Sequence, residues 1–215
     1  MMADLKNLKM LSPEVDYQAL MAQMQGQTHP RRKLAELQNK GYVTRLKKGF
    51  YVLAPEVTGR EYSPQIVANL LYGPSYISLE YALSYFQLIP ERVEAVTSVT
   101  TQKNKTFQTK IGRFTYEHLA STLYPIGVCL RTTSDGRSFL MATPEKALMD
   151  IFTLRFKKSQ KPSRKDIAIA LNDDLRLDLA ALKINMNVNL LTEMKSLYKN
   201  RHWGRVLIEE LLEAK

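Results

Sequence analysis

The sequence predicts an α+β fold in two parts. Residues 1–55 form a small module of helices closed by a hairpin, and residues 61–215 form a mixed body with a small sheet, strand-rich over 91–142 and helical over 143–215. Three observations lead there. Apolar residues at helical spacing dominate both ends of the chain, short β-rich runs broken by turn residues fill the middle, and the charge is sorted in the same way. Of 31 basic and 21 acidic side chains, residues 1–60 hold ten and five, 61–150 eight and eight, and 151–215 thirteen and eight, so the net +10 sits at the two ends. With 215 residues, 45% hydrophobic and 24% charged, the chain can bury a core and has room for one large domain or two modest ones.

Ser12-Pro13-Glu14 has the form of a helix start, with Ser at the cap, Pro at the first position and an acid at the positive end of the dipole. Tyr17, Leu20, Met21 and Met24 follow at helical spacing. Gly26-Gln27-Thr28 breaks that helix, and after a turn of about four residues Pro30 opens a second, PRRKLAELQNK, stopped by Gly41. Two β-rich runs, 42–46 and 50–53, then flank Lys47-Lys48-Gly49 as a hairpin. Helix, tight turn, helix and basic-tipped hairpin is the order of a winged helix-turn-helix. A short polar linker over 55–60 leads to Ser63-Pro64-Gln65, another cap signal, and to a helix over 78–87.

Beyond Pro90, Val93, Val96, Val99, Phe107, Ile111, Phe114, Tyr116, Ile126, Val128, Leu130, Phe139 and Met141 lie in short runs separated by Lys103-Asn104 and Ser134-Asp135-Gly136, which predicts four or five strands. Thr143-Pro144-Glu145 starts another helix. Ile167 and Leu171, then Leu190 to Tyr198, then Trp203, Leu207 and Leu211 carry the helical tail, with Ser163 and Asp166 as a capping box.

No apolar run approaches the about 20 residues of a membrane span, so no membrane partner is expected. Asp4 and two lysines precede any apolar stretch, unlike a secretory signal, and a single Cys129 permits no intrachain disulfide; a reducing cytoplasm is the expected setting. Catalysis finds little support. His29, His118 and His202 are widely separated and lack metal-ligand spacing to Cys129 or to a carboxylate. Cys129 reads as a buried, inert thiol, Asp173, Asp174 and Asp178 as loop or helix-start residues, and Glu145 as a partner of its helix dipole. Phosphate-loop, dinucleotide and nucleophile-elbow patterns do not occur. The expectation is a non-enzyme with no cofactor and no metal.

The binding signals are basic. Residues 29–50 set Arg31, Arg32, Lys33, Lys40, Arg45, Lys47 and Lys48 against one acid, Glu36. On a helical wheel Pro30, Leu34, Leu37 and Gly41 share one face, leaving Arg32, Ala35, Glu36 and Asn39 on the other. Such a helix can present Arg32 and Asn39 to base edges in a major groove while the hairpin lysines touch phosphates. A solvated basic face is the plainer alternative. A second cluster, residues 155–165, holds Arg155, Lys157, Lys158, Lys161, Arg164 and Lys165 without an acid. It reads equally as a solvated linker or as a further contact for nucleic acid or an acidic protein. The neutral middle suits a protein-binding or structural body better than a nucleic-acid surface.

Taken in order, Gly49-Phe50-Tyr51-Val52, SLEYALSYFQLIP over 78–90, the strand-rich block and ATPEKALMDIF over 142–152 resemble the AbiEi family of bacterial antitoxins from type IV toxin–antitoxin and abortive-infection systems. The resemblance covers residues 15–155 and the tail only in general character. It implies a winged helix that represses its own operon by binding inverted repeats in operator DNA. It also implies a C-terminal domain that counters a nucleotidyltransferase-like toxin encoded nearby. Arg31, Arg32, Lys33, Arg45, Lys47 and Lys48 fall where such proteins hold their DNA-facing basic residues. The alternative is a winged-helix regulator whose C-terminal domain senses a ligand or pairs subunits, with no toxin.

Overall fold

Asp16, not Ser12, caps the first helix of the N-terminal module. In the computed structural model, which describes residues 7–213, Glu14–Asp16 form a short strand, β1, and the Asp16 carboxylate accepts from Ala19 N at 2.7 Å to start α1, Tyr17–Ala22. The Ser-Pro-Glu signal is misleading because Ser12 donates to the Glu14 carboxylate and the Pro13 carbonyl accepts from Leu53 N, so backbone pairing outcompetes the helix. Residues 23–29 turn in successive short hydrogen bonds, a longer connection than the spacing predicts. Pro30–Asn39 form α2, with Leu34 and Leu37 buried. β2, Val43–Lys47, and β3, Phe50–Leu53, follow as an antiparallel hairpin whose turn needs Gly49 at φ +83°. The Gly49 carbonyl accepts from Tyr17 N and ties the turn to α1.

These strands make a three-stranded sheet in the order β1-β3-β2. Its central strand is buried on both faces. Tyr51 and Leu53 join Leu8, Leu20, Leu34, Leu37, Val43 and Val57 in a small core, while Phe50 and Val52 belong to the large core of the body. A short α3, Pro55–Thr58, then leads into α4, Pro64–Leu71, capped by Ser63 as its sequence predicts.

The body is built on a mixed six-stranded sheet, ordered β6-β7-β5-β4-β9-β8. β4 is Ser75–Ile77, β5 Val96–Thr100, β6 Lys105–Thr109, β7 Gly112–His118, β8 Val128–Thr132 and β9 Ser138–Ala142. Five of these lie in the predicted block; β4 is only three residues long and too short for period-2 patterning to mark. α5, Leu79–Tyr85, follows β4, and α6, Pro144–Arg155, starts at a Thr143 cap and is buried at every residue from Pro144 to Phe152. The tail comprises α7, Arg164–Ile169, with the Ser163–Asp166 capping box, a π-helical turn at Ala170–Asp174, α8, Leu179–Asn185, α9, Val188–Leu197, and α10, His202–Glu213. It docks through Trp203, fully buried between Tyr198 and Phe152 with ring centroids 5.5 and 6.4 Å away. Among the described residues no helix is long and apolar enough to cross a membrane.

Candidate nucleic-acid interface

Burial of Leu34 and Leu37 fixes the rotation of α2. Arg32, Ala35 and Asn39 are thereby exposed on the far side, as the helical wheel predicts, with Glu36 half-buried among them and Arg31 exposed as well. Arg32 Nε stands 3.5 Å from Glu36, and Lys33 Nζ 3.8 Å from the same carboxylate. Such one-turn pairs on an exposed helix contribute a few tenths of a kcal/mol, so Arg32 can leave Glu36 for a stronger anion. Lys33 is half-buried. The start of α2 faces a cavity of about 710 Å³ floored by Tyr17, Met21 and Pro30 and rimmed by His29, Arg31 and Arg32.

On the hairpin, Arg45 and Lys48 are exposed, and Arg45 Nε donates to the Lys47 carbonyl at 3.3 Å. Lys47 departs from the expectation of a phosphate contact. A register shift between Arg45 and Lys47 turns its side chain inward, where the ammonium donates to the Leu71 carbonyl at the C-terminal end of α4. Partial burial lowers its pKa below the usual lysine value. Alternation along a strand fails as a guide where a bulge adds a residue, so Lys47 anchors the hairpin to the body and Lys48 is its outward cation.

The joint between module and body is polar as well as apolar. Glu14, buried, holds Arg137 Nη1 at 2.5 Å through one oxygen and accepts from Ser63 N at 2.6 Å through the other. Arg137 also donates to the Glu61 carbonyl and pairs with Asp135, and Arg60 reaches the Leu11 carbonyl at 3.0 Å.

The second basic cluster divides. Arg155 pairs with Asp174, and Arg164 with Glu213 and Glu210, so both hold tail helices together. To two of the six cations the folded tail supplies acids that linear charge counting places elsewhere. Lys157, Lys158, Lys161 and Lys165 are exposed.

One constellation escaped sequence reading. Lys146 and Asp150, one turn apart on α6, form an ion pair at 2.5 Å that is almost wholly buried. The other Asp150 oxygen accepts from Tyr76 at 2.9 Å and Ser78 at 2.8 Å, and Lys146 also donates to the Leu123 carbonyl at 2.7 Å. Burial pushes the Asp150 carboxyl up and the Lys146 amine down, while each charge pulls the other back. The residue types suit acid–base chemistry, but the enclosure gives a substrate no approach; the network ties β4, α5 and α6 together. Glu145, expected to serve the helix dipole, is also buried and accepts from Asn187 N at 2.6 Å.

The other titratable residues have local roles. His118 is exposed with Nδ1 2.9 Å from the Gln102 carbonyl, and Cys129 is half-buried, donating to the Met141 carbonyl at 3.2 Å. Asp178 caps α8 by accepting from Ala181 N. Among the described residues no three His, Cys, Asp or Glu side chains gather in a way that could hold a metal ion. No protein-family model matches the chain, and no curated protein matches it.

Proposed function

We propose that the chain is a DNA-binding transcription regulator whose N-terminal module acts as a winged helix. The observation that carries this reading is the exposed face of α2. Its apolar side is locked into a small core, its outer side presents Arg31, Arg32 and Asn39, and a hairpin with exposed Arg45 and Lys48 follows directly. Strand, two helices and hairpin closing a three-stranded sheet is the winged-helix order, and β1 adds the strand that sequence reading did not foresee. In this reading α2 enters the major groove, Arg32 and Asn39 meet base edges, and Arg31, Arg45 and Lys48 take phosphates.

The antitoxin half of the proposal rests on the resemblance to the AbiEi family. Its two longest stretches supply Ser78, Lys146 and Asp150 to one buried network, so they act in a shared framework. In this reading the body displays the surface that counters a nucleotidyltransferase-like toxin, with Lys157, Lys158, Lys161 and Lys165 available to an acidic partner. A specific observation favours the second reading, a ligand-sensing body. A cavity of about 760 Å³ opens between α5, α6 and the tail, floored by Leu79, Ile89, Ile151 and Leu154 and rimmed by Glu80 and Glu91.

The test is titration of duplex DNA against salt. With about four to six phosphate contacts, log affinity falls with log salt at a slope near −4 to −5. Asn39→Ala should chiefly reduce the preference for DNA upstream of the chain's own gene over unrelated DNA. Salt-independent binding would remove the reading.

A further inference from the structure

Counted along the sequence, residues 61–150 are neutral, but half of their eight basic side chains fall in one short stretch. Residues 101–113, TQKNKTFQTKIGR, contain Lys103, Lys105, Lys110 and Arg113 and no acid. They form β6, an outer strand of the large sheet, and its flanking turns. Lys103, Lys105 and Lys110 are exposed. Glu80 and Glu91 from the same neutral stretch line the cavity against α6, while Glu117 on the adjoining β7 accepts from the Asn104 side chain at 2.7 Å, between Lys103 and Lys105 in sequence.

The near end of this edge is linked to the hairpin of the N-terminal module through Leu71 and Tyr72. The Lys47 ammonium, next to outward-facing Lys48, binds the Leu71 carbonyl. The adjoining Tyr72 donates through its hydroxyl to the Lys103 carbonyl at 3.2 Å. Its ring packs against Phe107 at 6.0 Å and Tyr116 at 5.2 Å, and the Lys105 ammonium stands 5.8 Å from the Phe107 ring. Leu71 and Tyr72 thus link the two segments, Leu71 holding Lys47 of the hairpin and Tyr72 holding the Lys103 backbone at the start of β6.

We propose that the β6 edge extends the nucleic-acid interface onto the body, with Lys103 and Lys105 binding duplex phosphates beyond those held by the hairpin. The inference rests on the DNA-binding reading above. Lysines are point-charge phosphate binders, and their contribution is indifferent to sequence. Tyr72 is a positioning residue, fixing the Lys103 backbone against the module. The neutral, β-rich middle is expected to suit a protein-binding or structural body better than a nucleic-acid surface; its total charge does not show that half of its basic side chains fall in one stretch.

Full-length chain and its Lys103→Gln/Lys105→Gln variant should be compared on duplexes of about 12 and about 30 base pairs, the longer spanning about three helical turns. On the longer duplex the variant's salt slope should be shallower by about 1.8, from roughly 0.9 per lost contact; on the shorter it should match the parent. The melt should change little, because both residues are exposed and the contact of Lys105 with the Phe107 ring is worth about 0.5–1 kcal/mol at such a site. An unaltered slope on the long duplex, with Arg31→Ala/Arg32→Ala still weakening binding, overturns the extension and leaves the regulator reading standing. Equal flattening on both duplexes also overturns it, placing the lysines within the hairpin's own footprint. Lysines on an open sheet edge can instead deter strand-to-strand association. A variant that self-associates in sedimentation while its slope holds assigns them to that role alone. Absence of salt-dependent binding by the parent chain on either duplex removes both the reading and the extension.

Discussion

Asp150 and Lys146 illustrate how one spacing leads to opposite environments. Arg32 and Glu36 are also one turn apart with opposite charge, yet they lie in solvent. Truncating one member of the buried pair leaves its partner charged and enclosed, so Asp150→Ala should destabilise by about 3–5 kcal/mol in urea unfolding. Lys146→Met with Asp150→Leu should recover most of that loss, since a packed apolar pair carries no stranded charge. A double variant as weak as the single would assign the stability to the Tyr76 and Ser78 hydrogen bonds. Lys47 and Lys48 form a second contrast. Lys47→Ala should lower stability by about 1–2 kcal/mol, through loss of the contact to Leu71, and leave the salt slope of DNA binding unchanged. Lys48→Ala should do the reverse. At Gly127 the backbone sits at φ +78°, and a Cβ would lie 2.5 Å from Met194 Cε and 2.7 Å from Lys146 Cβ. Gly127→Ala should therefore cost about 2–4 kcal/mol by strain and overpacking.

At the scale of elements, local chemistry marked the helix starts well and tertiary pairing much less well. Ser63, Thr143 and the Ser163–Asp166 box cap helices where their sequence predicts, because a side-chain oxygen and a helix N-terminus need only each other. Ser12-Pro13-Glu14 carries the same signal and becomes a strand approach, because β3 lies ready to pair with it. α2 was legible through its apolar stripe, and with it the exposed Arg31, Arg32 and Asn39. The inward turn of Lys47 onto Leu71 and the hydrogen bond of Tyr72 to Lys103 were not, since each depends on contacts between distant segments. β3 has the largest consequence. Phe50→Ala should cost about 3–5 kcal/mol although the residue lies in the N-terminal module, because it fills the core of the body. A fragment of residues 61–215 lacks Phe50, Val52 and Glu14, and should show no cooperative melt. Repression and any partner binding are therefore best separated by point variants of the full chain.

For the whole molecule, the two hydrophobic cores share one strand, so forces on the N-terminal module are transmitted to the body without a hinge of unpacked residues between them. That coupling suits a regulator in which occupancy of the body affects DNA binding. The central claim, that duplex DNA is held by α2 and the hairpin, is tested most directly by one comparison. The salt dependence of duplex binding should be measured for the full chain and for Arg31→Ala/Arg32→Ala/Lys48→Ala. All three side chains are exposed, so the variant should melt as the parent does, while its slope should be shallower by about 1.8, from roughly 0.9 for each of the two phosphate contacts removed at Arg31 and Lys48, and loss of Arg32 should weaken base readout besides. A variant with the parent's melt, affinity and slope would contradict the claim.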